Sequence, residues 1–350
     1  MAELLPGDPV PNWIAPSDSN PRYSLQATGG RWILLGVLGS AAQPEVAAAL
    51  AAFTAGVGAG AVLDGNRAAA LLISADPEDR AAGRIPQHVP EYRAIWDETG
   101  QVTASLGAPG WLLLDPTQRL FARWPLSRTA GMLATMAHLP PPALHAGMAV
   151  PAPVLVVPRL FEPDLCRTLI AQYGQTGGQA SGFMREVDGR TIGVQDPSFK
   201  VRRDHLIEDE ALQAAIRARI SRRLIPEIAK AFQFRVTRLE RYLVACYRAD
   251  EGGHFSAHRD NTTKGTAHRR FAVTINLNAE EFEGGDLTFP EFGPTTYRAP
   301  TGGAVVFSCS LLHRALPVTK GARFAFLPFL HDEAAAKIRE ENLKFLGSAG

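Results

Sequence analysis

A two-domain α+β protein is the fold class this sequence predicts, on three observations. A proline-dense stretch from His138 to Pro153 divides the chain. Strand-like and helix-like segments alternate before it. Many short apolar segments punctuated by glycine and proline follow Phe234. Such proline density cannot propagate a helix, so it makes an extended connector, and the boundary is expected near 145 to 152. The domains are expected over 1–145 and 152–335, with a C-terminal tail from 336 to 350.

The 350 residues suffice for two independent cores, and 46% hydrophobic with 20% charged residues exclude disorder as the dominant state. With 36 basic and 35 acidic residues the net charge is +1, so no global field recruits nucleic acid. The first residues lack the basic and long apolar runs of a secretory signal, and Trp32 to Gly39 is too short to span a bilayer. Cys166, Cys246 and Cys309 are widely spaced and odd in number, which argues against a disulfide framework. A cytoplasmic location, as small buried thiols, is the expectation.

In the first half, Trp32 to Leu38 reads as a buried strand and Gln43 to Gly56 as a helix. The stretches Ala61 to Leu63 and Ala69 to Ile73 supply further helix-to-sheet material, Leu71 to Ser74 being the better strand. Gly110 to Trp124 has the outline of a hairpin turning at Asp115 to Gln118. A compact α/β domain with a mixed sheet results.

In the second half, Val154 to Val157 opens with a strand, and Phe161 to Tyr173 has helical spacing with Pro163 near its start. Leu212, Ile216, Ile220, Leu224 and Ile228 recur at four-residue steps, placing one apolar stripe on a helix that covers a sheet, with a kink or break at Pro226. Short strands follow from Arg238 to Phe329, and their number favours a sandwich or small barrel; a double-sheet jelly roll closes most exposed edges.

The chemistry concentrates on His258, Asp260, His313 and Arg323. Two imidazoles and a carboxylate on one face of a metal leave other positions open, the ligand set of non-haem Fe(II) oxygenases. His258 and Asp260 are two apart, so on a strand both point to one side. His313 would arrive on a return strand, and Arg323 on the next antiparallel one, where its guanidinium can grip an acidic cosubstrate. Asn261, Thr262, His268, Arg269 and Arg203 are candidates for a substrate rim, with His254 an accessory histidine. The Gly284-Gly-Asp286 turn lacks the lysine and helix of a phosphate loop and is expected only to turn two strands.

Two resemblances follow from these motifs. The first half resembles the peroxiredoxin branch of the thioredoxin-like fold, through Pro6-Gly-Asp-Pro-Val-Pro-Asn-Trp13, Leu72-Ile-Ser-Ala-Asp-Pro77 and Trp111-Leu-Leu-Leu-Asp-Pro116. Where that family's peroxide-reducing members carry a cysteine thiolate, this chain has Ser40-Ala-Ala-Gln-Pro-Glu-Val46. A serine is neither ionised nor oxidised under those conditions, so the domain is expected to be redox-inactive and to serve a binding, docking or stabilising role, a protein partner being one option among several between which the sequence does not choose.

The second half resembles the Fe(II)- and 2-oxoglutarate-dependent dioxygenases of the prolyl 4-hydroxylase-like branch. The matching runs are His258-Arg-Asp260, Arg270 to Leu277, Phe282 to Phe289, Gly302 to Phe307 and Leu312 to Arg323. The resemblance implies a double-stranded β-helix (jelly roll) with flanking helices. It implies Fe(II) on His258, Asp260 and His313, and 2-oxoglutarate on Arg323. Tyr242 or Tyr247 would donate to that cosubstrate, the resemblance favouring Tyr242 or its neighbour. Ascorbate is admitted as an auxiliary cofactor.

The expected reaction hydroxylates a peptide side chain or small amino-acid-like substrate, releasing succinate and carbon dioxide. No nucleic-acid or membrane partner is expected, and oligomeric state is left open. Two alternatives stand beside it: a catalytically silent binding or scaffold protein, and a cupin-like metal protein that ignores 2-oxoglutarate.

Overall fold

The computed structural model describes residues 4–58 and 62–347, so Ala61 of the expected helix-to-sheet material lies outside the described residues, as do 1–3 and 348–350. The chain divides into two compact units, Met1–Pro151 with Pro290–Pro294 and Ala152–Phe289 with Thr295–Gly350.

The first unit is built on a five-stranded sheet in the order Tyr92–Trp96, Ala68–Ser74, Trp32–Gly39, Gly110–Leu114, Leu120–Trp124. Its first three strands are parallel, and the last two join antiparallel through the hairpin. The central strand is apolar at nearly every position because both of its faces are covered. Trp32, Leu34 and Leu38 face the helices Pro44–Gly58 and Thr129–Ala137, while Ile33, Leu35 and Val37 pack with Val102 and Leu106 on the other side. Gly36 interrupts the run because a Cβ there would come within 2.7 Å of the Trp111 ring.

Ser40 follows that strand, where a peroxidatic thiol is absent. Its hydroxyl donates to the Asp76 carboxylate, and the fully buried Asp79 accepts from Ala41 N (2.7 Å), Ser74 Oγ (2.6 Å) and Arg84 (3.0 Å). The segment is tied down by hydrogen bonds to oxygen.

The second unit contains two larger sheets. One runs Arg238–Glu240, Phe329–His331, Phe271–Asn276, Ala322–Phe326, Leu243–Arg248, Arg203–Leu206, Gln179–Ala180, with Ala304–Ser308 and Leu155–Val157 attached beside Phe271–Asn276. The other has five strands in the order Lys200–Val201, His254–His258, His313–Ala315, Leu287–Thr288, Thr296–Tyr297. Alternation along Leu243–Arg248 separates two environments. Val244 and Cys246 join the core beneath the helices, whereas Leu243, Ala245 and Tyr247 pack with Phe282, Ala315 and Val318 between the sheets.

The striped helix expected through Leu212 to Ile228 is interrupted. It runs Glu210–Arg219, passes through a π-helical turn over Ile220–Leu224, and resumes as Ile225–Phe232 with Pro226 in its first turn. Proline lacks the N–H that would continue the ladder, and the wider turn absorbs the mismatch. The stripe survives the break: Ile216, Ile220, Leu224 and Ile228 are all buried in the core that backs the larger sheet. Ile228→Ala is expected to lower unfolding stability by about 2–5 kcal/mol in a denaturant titration, through lost transfer energy and the cavity left behind.

The segment read as a tail from 336 is largely helical. Asp332 caps the helix Glu333–Asn342 by accepting from Ala335 N at 2.9 Å, and Leu346 bridges to Thr191. Among the described residues no helix is long and apolar enough to cross a membrane.

Candidate metal centre

His258 ends one strand of the smaller sheet and His313 begins its antiparallel neighbour, where the two are directly opposed in register. A bulge between Phe255 and His258 resets the phase just before the histidine. The expectation that Asp260 shares the strand with His258 is therefore corrected, because the strand stops at His258 and Asp260 sits on the following turn. Its amide donates to Cys309 O at 2.9 Å, anchoring the turn.

Ligand-capable atoms of His258, Asp260 and His313 all lie within 4.8 Å of one another. His258 Nε2 is 3.6 Å from Asp260 Oδ1, and His313 Nε2 is 3.4 Å from Oδ2. Both Nδ1 atoms are occupied elsewhere, on Ser256 O (2.7 Å) and Leu311 O (3.0 Å). An Nδ1–H donated to a carbonyl leaves the Nε2 lone pair for a metal. The donor set fits a divalent cation with open positions.

Burial opposes a charge on Asp260, but the His313 and His258 imidazoles and Arg269 outweigh it and hold the carboxyl well below the usual range. Burial and the neighbouring His258 push His313 down to about 4, so it is the neutral, ligating form at pH 7. Phe255 stacks on the His258 ring with centroids 3.6 Å apart, and Phe307 lies 4.6 Å from His313. These rings wall the group with apolar surface.

Arg323 is 3% exposed, and Nη1 donates to Gly285 O at 2.8 Å. It lies over Tyr247, its cross-strand partner, at 5.1 Å, and lines a small recess with Thr274, Asn276, Asp286 and Val305. No carboxylate lies within ion-pair distance of it among the described residues, and burial lowers its pKa. A buried guanidinium with unused donors fits a carboxylate ligand. Its strand is not the neighbour of the His313 strand, as the sequence suggested. It lies in the larger sheet, between Leu243–Arg248 and Phe271–Asn276.

Other expected positions are redistributed. Tyr242 packs with the helix-side core, with Arg217 Nη1 3.4 Å from its hydroxyl, so strand phase separates it from Arg323 and leaves Tyr247 there. His268 is 2% exposed and bonded to Glu240 at 2.6 Å; it is no rim residue. Arg269 is buried too, paired with Glu240 at 2.8 Å and 4.0 Å over Phe329. Arg203 turns away, its guanidinium on the Gly177 and Gly178 carbonyls. His254 is bonded to Gly252 O and stands outside the ligand group. Asn261, on Ser310 Oγ at 2.8 Å, and the exposed Thr262 remain beside the Asp260 turn.

The Glu240 cluster has a testable cost. Burial raises its pKa, but His268 and Arg269 more than offset this and hold its carboxyl well below the usual range. A depressed carboxylate contributes stability above its unfolded pKa of 4.5 and loses it as pH falls through the folded value. Glu240→Ala, which strands a buried guanidinium, should cost about 3–5 kcal/mol at pH 7 by chemical denaturation. The gap to the wild type should narrow in acid.

The sequence places Asp196 to Arg203 in a loop that could shape substrate access, but within Val194 to Asp204 it singles out Arg203 and not Lys200, Arg202 or Asp204. Lys200 and Asp204 lie on strands so short that no period is visible, and Arg202 lies between the two. Residues 242–331 match the family model of the 2OG-Fe(II) oxygenase superfamily. A PKHD-type hydroxylase of Pseudomonas fluorescens is 37% identical over 91 residues, covering 24% of this chain and 39% of that protein. One of Synechococcus is 28% identical over 125 residues, covering 34% and 53%. The chain thus spans about half or less of the curated relatives it matches.

Among solved structures, a prolyl hydroxylase of Trichoplax adhaerens in complex with a hypoxia inducible factor peptide fragment is 17% identical, with a TM-score of 0.40 over 54% of this chain and 86% of that one. A Pseudomonas putida prolyl-4-hydroxylase is 15% identical, with a TM-score of 0.36 over 52% and 94%. Residues 242–331, which contain His258, Asp260, His313 and Arg323, are a 2OG-Fe(II) oxygenase superfamily domain, and the chain is similar in part to PKHD-type hydroxylases.

Proposed function

We propose that the second unit, a double-stranded β-helix, holds Fe(II) on His258, Asp260 and His313 and 2-oxoglutarate on Arg323, and hydroxylates a peptide side chain or a small amino-acid-like molecule. The observation that carries this reading is the opposed pair His258 and His313, each committed through Nδ1 to a carbonyl and facing Asp260 with Nε2. When bound, iron and 2-oxoglutarate supply the oxidation: oxygen is consumed, the cosubstrate leaves as succinate and carbon dioxide, and the substrate gains a hydroxyl.

The protein's own residues position and shield. The two carbonyl-bound imidazoles cannot rotate away, and Asp260 offers one oxygen toward each. Arg323 neutralises the distal carboxylate of the cosubstrate, with Tyr247 beside it. Phe255 and Phe307 exclude water from the reacting face. Hydroxylation as the outcome is supported by the PKHD-type relatives.

The first unit is read as a thioredoxin-like domain without thiol chemistry that docks a protein partner. Its strand order and the Ser40–Asp76 contact support the fold and the absence of thiol chemistry. A reducing, cytoplasmic setting is supported by three free, buried cysteines, two of which burial pushes up to about 11.

Anaerobic optical titration of the Fe(II)-loaded protein with 2-oxoglutarate tests the reading. A metal-to-ligand charge-transfer band is expected. Its absence from folded, iron-loaded wild type would move the second unit to a silent scaffold or to a metal protein that ignores 2-oxoglutarate.

A further inference from the structure

The region between the sheets holds more buried basic groups than the proposed iron and cosubstrate use. Lys200 is 6% exposed on a strand that pairs with His254–His258, directly opposite Phe255. Residues opposed on adjacent strands share a face. Lys200 Nζ accordingly lies 4.8 Å over the Phe255 ring, and that ring stacks on His258. The amine is one ring away from a candidate ligand imidazole.

Its partners are neutral oxygens, Ser181 Oγ at 2.8 Å and Gly182 O. No carboxylate lies within ion-pair distance of Nζ among the described residues. The nearby Asp204 is already engaged, because Arg202 holds it in two bonds of 2.7 and 2.6 Å, Ser181 donates to it, and Arg241 stands 3.8 Å away. Buried lysines without a counter-charge are rare, because the desolvation cost has no compensation. That cost pushes Lys200 down to about 6, with Arg202 adding to it.

The loaded centre would not supply a counter-charge. A divalent cation against doubly charged 2-oxoglutarate, and Asp260 against Arg323, already balance. An amine pushed down to about 6 is largely uncharged at pH 7 before substrate binds, and a carboxylate arriving beside it would restore its proton; the substrate is what is left to bring one.

We infer that Lys200 binds a carboxylate of the primary substrate, which makes that substrate a carboxylic acid held beside Phe255 and His258. This deepens the oxygenase reading and rests on it. The carboxylate is either the main-chain terminus of an amino acid or peptide, or an acidic side chain.

The test uses full-length protein loaded with Mn(II) and 2-oxoglutarate, titrated calorimetrically without oxygen. Two matched probe pairs separate the sources: N-acetyl-L-proline against its primary amide, and N-acetyl-L-glutamate α-amide against N-acetyl-L-glutamine α-amide. In one pair the acid should bind at least about tenfold more tightly than its amide, the scale of a charge-assisted bond. The preference should vanish in Lys200→Met, which keeps the apolar stem, and return in part in Lys200→Arg.

Equal behaviour of acid and amide in both wild-type pairs, including no binding by either, would overturn the inference. So would an acid preference that survives in Lys200→Met, or a loss of 2-oxoglutarate affinity in that variant with the acid preference intact. Failure of the oxygenase reading shows separately, as a missing charge-transfer band in the wild type.

Discussion

His258→Ala and Asp260→Ala are each expected to abolish the Fe(II)·2-oxoglutarate charge-transfer band and 2-oxoglutarate turnover while leaving the protein folded. Each removes one of three donors whose ligand atoms lie within 4.8 Å. Disturbing only a supporting partner of a metal ligand costs about 10–100-fold in affinity or activity, so losing a donor itself should exceed that range. Asp260→Ala should also lower the stability of the metal-free protein near neutral pH, because its surroundings outweigh burial and hold the carboxyl well below the usual range, so the folded state favours the charged form. Circular dichroism and a thermal melt of metal-free protein check that part. Chelation of the loaded wild type should lower its melting temperature, and the same treatment should leave Asp260→Ala unchanged. Full turnover in either variant would remove these residues from the centre.

Arg323→Ala is expected to raise the 2-oxoglutarate concentration needed for half-maximal band intensity, while Fe(II) binding in the absence of cosubstrate persists. Arg323 is 3% exposed and has one carbonyl partner, so its remaining donors are free for an incoming carboxylate. Truncating one side of such a buried charge pair costs about 2–5 kcal/mol. Lys at the same position should recover part of the affinity, since it restores the charge and loses the bidentate geometry. The two tyrosines give an internal control. Tyr247→Phe, beside the guanidinium, should weaken cosubstrate binding, whereas Tyr242→Phe should not, because Tyr242 packs on the opposite face among the helix-side core. An unchanged titration for Arg323→Ala would place the cosubstrate elsewhere.

Much of the architecture was legible because it depends on local pattern. The central strand of the first unit announces burial on both faces by its unbroken apolar run, and the Ile216 to Ile228 stripe announces a covering helix by its spacing. The π-turn before Pro226 was less legible. Proline marks the disruption, but whether the helix kinks, stops or widens depends on keeping Ile220 and Leu224 on the core side.

By itself the sequence singled out the residues proposed to carry the chemistry: two histidines, an aspartate and an arginine in a strand-rich half, and a serine where a thiol would be needed. Residue type and order are local properties, and the donor set follows from them. Only the tertiary structure decided which face each neighbour occupies. A bulge at Phe255 to His258 moves Asp260 from strand to turn. Strand phase separates Tyr247 from Tyr242, and Glu240 draws His268 and Arg269 inward. Within the loop from Asp196 to Arg203 the sequence did not single out Lys200, for the same reason. A lysine in a two-residue strand reads as surface, and it becomes a buried amine only through pairing with a strand more than fifty residues away, a register set by long-range packing rather than by its own neighbours.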